Sequence, residues 1–190
     1  MKEKVDLRVI KTKQKLVDAF TDMINTTAFS QISVFDLCKK AGVRRATFYK
    51  HFNDKFDFLR YYVHLLEEEI LKSTTPLKRN RDPIKYYSSY VTHIIKYLCF
   101  NEKIINGLVE SDDFSNVLNV ILAGTNDLLV RDLTEDVKRG AIILPTEVDT
   151  VASFINGGIS SIVLEWFFNK KCSEEELIER MSKIIEAIIL

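Results

Sequence analysis

The chain has 190 residues, 46% hydrophobic and 28% charged, with 27 Lys/Arg balanced by 27 Asp/Glu. That is enough for one or two domains and is a globular balance, which excludes disordered and fibrous classes. Only 6 Gly and 3 Pro argue against a turn-rich β fold, and 3 scattered Cys without a CxxC pair argue against a disulfide framework or zinc site and for a reducing cytoplasm.

The zero net charge conceals an asymmetry. Residues 1–60 carry 13 Lys/Arg against 7 Asp/Glu, whereas 61–190 carry 14 against 20. A basic end on an acidic remainder predicts that the first part alone meets a polyanion. The charged start, Met1-Lys2-Glu3-Lys4, has no apolar signal region. The apolar run 159–168 contains Glu165 and is too short to span a bilayer. The expectation is a cytoplasmic chain with no membrane partner.

In chain order, Leu7, Ile10, Leu16, Val17, Phe20, Met23 and Ile24 predict a helix over residues 5–24, with Lys11, Lys13 and Lys15 largely on its other faces. Phe29 and Ile32 read as loop plugs. Ser33, with Asp36 at the capping-box position, starts a short helix that Gly42 ends in the left-handed conformation. A second short helix spans 44–51, and Asn53-Asp54 cap a third over 55–71. Residues 72–81 (KSTTPLKRNR) read as a linker. Asp82-Pro83 starts the next helix, to Phe100. Helices over 101–109 and 114–132 follow, then one capped by Thr146 with Asp149 that runs to Asn169. The capping box Ser173–Glu176 opens the last. The fold class is all-α, about nine helices without a strand.

A DNA-reading helix-turn-helix needs two short helices braced by packing, a turn glycine, and polar side chains left outside. Leu37, Cys38 and Ala41 supply an inner face, Gly42 the turn, and Val43 and Phe48 the packing. Arg44, Arg45, Thr47, Tyr49, Lys50 and His51 remain outward. This stretch, AGVRRATFYKHFNDKFDFL, resembles the signature of the TetR/AcrR family of transcriptional regulators over residues 1–60. The later FINGGISSIVLEWFFNKKCSEEEL is similar to the subgroup around the dihydroxyacetone-kinase operon activator. The resemblance implies a DNA-binding domain over 1–53 and an effector-binding and dimerisation domain over 54–190. It further implies Arg45, Thr47 and Lys50 on base edges, and Tyr49, His51 and Lys55 on phosphates. The chemistry agrees, since Arg can take guanine in two hydrogen bonds while Tyr, His and Lys donate to phosphate oxygens. Two positions depart from the family pattern. Arg44 replaces a small capping residue and adds a phosphate contact. Phe35, where polar side chains are common, offers a thymine-methyl contact or packing.

The function expected is a sequence-specific regulator, a homodimer on a pseudo-palindromic operator and a repressor released by a small-molecule effector. The alternative is a ligand- or protein-partner-binding module of the same fold that acts as a co-activator or lacks operator binding. Pairing is assigned to the last two long helices, through Val151, Phe154, Ile155, Gly158, Ile162 and Trp166 on one and Met181 and Ile185 on the other. An effector pocket is assigned to the line Tyr86, Tyr90, His93 and Tyr97, joined by Asn119. Enzymatic function is not expected: His51, His64 and His93 are isolated, no GxGxxG or GxSxG occurs, and Glu67-Glu68-Glu69 reads as a solvated face. No cofactor or metal is implied.

Overall fold

The computed structural model describes residues 7–78 and 82–189. Among them it has nine α-helices and one 3-10 turn: α1 (Leu7–Ile24), the turn Phe29–Gln31, α2 (Val34–Ala41), α3 (Arg45–Phe48), α4 (Lys55–Lys78), α5 (Pro83–Phe100), α6 (Glu102–Val109), α7 (Phe114–Lys138), α8 (Val148–Asn169) and α9 (Glu174–Ile189). No strand occurs among the described residues, so the all-α expectation holds.

The caps show why the helices begin where they do. Ser33 Oγ accepts from the Asp36 amide at 3.1 Å, Asp54 Oδ1 from the amides of Phe56 and Asp57 at 2.8 Å, and Asp82 Oδ1 from Lys85 at 3.3 Å. Ser173 and Glu176 close a reciprocal box, each side chain accepting the other's amide at 3.2 Å. Each such cap contributes about 1 kcal/mol by satisfying an amide the helix leaves open.

Four ends differ from the sequence expectation. α3 stops at Phe48 and continues only as turns. α4 runs to Lys78, through most of the expected linker, because that stretch lacks a helix-ending glycine; residues 79–81 lie outside the described residues. α7 extends to Lys138, where Gly140 at φ 67° turns the chain. Thr146 does not cap α8, because its hydroxyl donates to the Glu147 carboxylate. α8 itself is long and apolar enough, by length and composition, to cross a bilayer, with 33% of its most apolar stretch buried within the protein.

The chain forms two compact units, one drawing on Met1–Tyr62 and Asn101–Val120, the other on Val63–Phe100 and Ile121–Leu190. The first is organised on Phe20, whose ring meets Phe29 at 6.1 Å, Phe58 at 5.3 Å and Tyr62 at 4.8 Å, all edge-on. Such pairs add about 0.5–1.5 kcal/mol each beyond area burial. Leu16, Ile24, Ile32, Leu37 and Phe48 complete this core. α6 packs on α1, where a Cβ at Gly107 would stand 2.3 Å from the Ile24 carbonyl oxygen; only glycine fits that crossing.

In the second unit, α9 lies along α5. Two tyrosines tie α5 to α7: Tyr86 donates to the Asp132 carboxylate and Tyr87 to Asp136 Oδ2 at 2.6 Å. Arg139 Nε meets Asp136 at 2.8 Å, so this fully buried carboxylate is charge-compensated. Trp166 Nε1 donates to the Cys172 carbonyl at 2.8 Å, which fixes the α8–α9 corner.

Candidate nucleic-acid interface

Gly42 sets the geometry. It ends α2 at φ 64° and ψ 32°, and the Val43 amide donates to the Cys38 carbonyl at 3.0 Å. The chain re-enters helix at Arg45 with Arg44 as the capping residue, whose side chain makes no cap hydrogen bond. The absence of a small capping residue leaves α3 short. After Phe48, the His51 and Phe52 amides donate to the Phe48 carbonyl at 2.9 and 3.0 Å, which continues the segment as turns. Packing supports the segment: Phe48 is wholly buried, with its ring 5.3 Å from Phe52 and 6.1 Å from Phe58.

The expected DNA-facing residues divide into two groups. Arg44, Arg45 and Lys50 are exposed and Thr47 and His51 half-buried; Phe35 and Tyr49 are 56% and 49% exposed. Arg45 carries its guanidinium 6.0 Å from the Tyr49 ring centroid, a stacking that orients it outward. Lys55 behaves differently. Its ammonium binds Asp113 Oδ2 at 2.9 Å and approaches the Ser30 and Phe29 carbonyls at 3.4 and 3.5 Å, over the Phe29 ring at 4.6 Å. Ser111 Oγ, beside this pair, accepts from the Ser30 and Asp113 amides at 3.0 and 3.1 Å. Lys55 is thus held within a knot joining the 3-10 turn, α4 and the α6–α7 corner, whereas the family resemblance assigns it to a phosphate.

Sequence reading missed part of this surface. Lys11, Thr12 and Lys15 of α1 join Gly42, Val43, Arg44 and Thr47 around an open recess of about 250 Å³. No carboxylate lines it. The signal was available, because positions 11 and 15 share a helix face. Lys13, between them, is turned away over the Tyr61 ring at 4.5 Å.

The residues assigned to pairing do not all face outward. Val151, Ile155, Trp166, Met181 and Ile185, assigned to pairing from the sequence, are buried in the chain's own core. Phe154 (70% exposed), Gly158 and Ile162 (38% exposed) do face solvent, alongside Gly157 and Ser161.

The pocket candidates are likewise divided. Tyr86 is buried with its hydroxyl engaged by Asp132. His93 Nδ1 lies 2.7 Å from the Ser89 carbonyl. Tyr90 and Tyr97 are half-buried, and Asn119 is exposed in the part of α7 that belongs to the first unit. Burial, then the carboxylates of Glu67 and Asp132, push the Tyr90 hydroxyl well above the usual tyrosine range. Glu67 contradicts the expectation of a solvated face, being only 5% exposed. It follows Leu59 and Val63 at helical spacing, so its place on the buried stripe was readable.

A glycine-turned helix pair with an outward cationic face is the build of a DNA-binding helix-turn-helix. No family model matches the chain. A helix-turn-helix regulator of Bacillus subtilis, YxbF, is 34% identical over 76 residues, 39% of this chain but only 20% of that protein; the chain thus spans about a fifth of its length. The fatty acid metabolism regulator protein of the same organism is 23% identical over 185 residues, 92% of each chain. Among solved structures, a protein of Syntrophomonas wolfei described as a TetR-family transcriptional regulator superposes with a TM-score of 0.70 at 18% identity, over 94% of each chain. The dihydroxyacetone kinase operon activator DhaS reaches 0.56 at 20% identity, over 94% of this chain and 96% of its own, so the fold likeness to that subgroup is the looser one. The helical fold is shared with structures of TetR-family regulators, and the chain is similar in sequence to helix-turn-helix transcriptional regulators.

Proposed function

We propose that the protein is a repressor: a homodimer that occupies a pseudo-palindromic operator in the cytoplasm and leaves it when a small molecule binds the second unit. DNA binding belongs to residues 1–53, effector binding and pairing to 54–190. The observation that carries this is the outward set Arg44, Arg45, Tyr49 and Lys50, braced by wholly buried Phe48. Arg45, Thr47 and Lys50 read base edges. Tyr49, His51 and Arg44 hold phosphates, joined by Lys11 and Lys15 across the recess, and Phe35 meets a thymine methyl. Pairing uses the face left open on α8, Phe154, Gly158 and Ile162, where the glycine lets two helices approach closely. An effector with different affinity for two arrangements of the dimer shifts the population off the operator.

Selection of bound duplexes from a random pool tests this. A palindromic consensus supports it, and binding without sequence preference leaves the partner-binding module instead. Arg45→Ala should flatten the preference at one position of each half-site, and Phe154→Asp should yield monomers with weakened operator binding in sedimentation and anisotropy measurements.

A further inference from the structure

Buried side-chain polar atoms nearly always find a hydrogen-bond partner, and those that do not call for an explanation. Three such oxygens stand alone among the described residues: Glu67 Oε1 on α4, Ser88 Oγ on α5 and Asn126 Oδ1 on α7. All three belong to the second unit. Glu67 matters most, because an unpaired carboxylate loses far more hydration on burial than a hydroxyl or amide. Its Oε1 lies against α7 at Gly124, where a Cβ would stand only 2.6 Å away. The missing side chain is what makes room for the carboxylate. His64 Nδ1 lies 3.8 Å from the other oxygen, beyond hydrogen-bond reach and 59% exposed.

Among the described residues no cation reaches Oε1 itself, although Arg131 acts on the neighbouring Tyr90. Asp127 of α7 acts on Glu67 as a like charge, and the Tyr90 hydroxyl on α5 is close enough to register the Glu67 carboxylate. A well-packed fold would place a leucine here. A buried polar group that lowers stability is a common feature of functional sites.

We propose that Glu67 is the anchor for an organic ammonium ion, a primary or secondary amine on an apolar body, which donates to Oε1. This rests on the effector reading above and gives the effector its chemical class. A charge-assisted N–H···O bond satisfies the carboxylate. An anionic amphiphile would place like charge against Glu67 and Asp127.

The test uses the full-length protein, alone and on its selected operator duplex, with three matched probes: phenethylamine, neutral N-acetylphenethylamine and anionic 3-phenylpropionate. Palmitoyl-CoA serves as a separate arm. Phenethylamine should raise the Tm and release the duplex, and the neutral and anionic analogues should not. Glu67→Gln should weaken the amine at least tenfold while leaving operator affinity unchanged. Gly124→Ala, which displaces the carboxylate without altering its charge, should do the same. The inference is overturned if phenethylamine is silent at millimolar concentration, if 3-phenylpropionate acts equally, or if both variants respond like the parent. Release by palmitoyl-CoA with amines silent would retain the effector reading and refute the ligand class. A chain that never binds a defined duplex would refute the operator reading, while amine binding to Glu67 would still be read by the Tm.

Discussion

The Lys55–Asp113 pair permits a quantitative test of whether this lysine serves the fold or the DNA. Its side chains are 25% and 32% exposed, between surface pairs worth about 0.2–1 kcal/mol and buried charged hydrogen bonds worth about 1.5–3 kcal/mol. With the 2.9 Å geometry, about 1 kcal/mol of coupling is expected. Lys55→Met should cost about 1.5–2 kcal/mol in all, because it also removes the ammonium from the Phe29 ring face, a contact worth about 0.5–1 kcal/mol. Asp113→Asn, which keeps an acceptor, should cost about 1 kcal/mol. Urea unfolding at one fixed protein concentration, run as a double-mutant cycle, isolates the coupling, which should shrink as salt rises. The same variants titrated against operator and scrambled duplex supply the decisive comparison. If Lys55→Met leaves stability intact, shows no coupling to Asp113, and loses affinity for both duplexes equally, the lysine is a phosphate ligand and the structural reasoning is wrong.

Three further outcomes follow from the geometry. Gly42→Ala meets no steric obstacle but must hold φ 64°, so about 1 kcal/mol of stability should be lost and operator affinity should fall with it, read by thermal unfolding and anisotropy. Lys11→Ala and Lys15→Ala should weaken cognate and scrambled DNA alike, each lowering the slope of log affinity against log salt by about one; an unchanged slope would remove the recess from the interface. Burial, then the charge of Asp127, raise the Glu67 carboxyl from its ordinary 4.5 to about 7. The folded state therefore holds a proton that the unfolded chain has already released between those values. Stability should fall across that window as pH rises, by on the order of 3 kcal/mol, and Glu67→Gln should abolish the slope in denaturation curves collected from pH 4 to 8.

The helix-turn-helix was legible because each of its parts is a local signal: a serine cap, a glycine in the left-handed region, apolar residues at helical spacing. Those forces act within a few residues. The recess between α1 and the turn was not seen as a site, although its lysines share a face, because its walls come from positions some thirty residues apart. Lys55 shows the opposite case. A motif predicted a phosphate contact, but Asp113, distant in sequence, competes for the same ammonium. On α8 and α9, spacing identified apolar positions correctly and could not say whether they face the protomer or a partner, since burial in either costs the sequence the same residues. Glu67 was misjudged because two neighbouring glutamates made it look like part of a charged run.

The brevity of α3 has a genetic consequence. Four helical residues are far too few to persist in water without support, so the segment proposed to read bases persists only while Phe48 stays plugged into its aromatic socket. Under the proposed function, lesions at Phe20, Phe52 or Phe58 would abolish operator binding without touching a nucleotide. If the protein represses as proposed, a screen for derepressed mutants should return two interleaved populations, one on the surface and one inside. Only the interior class should be rescued by growth at low temperature.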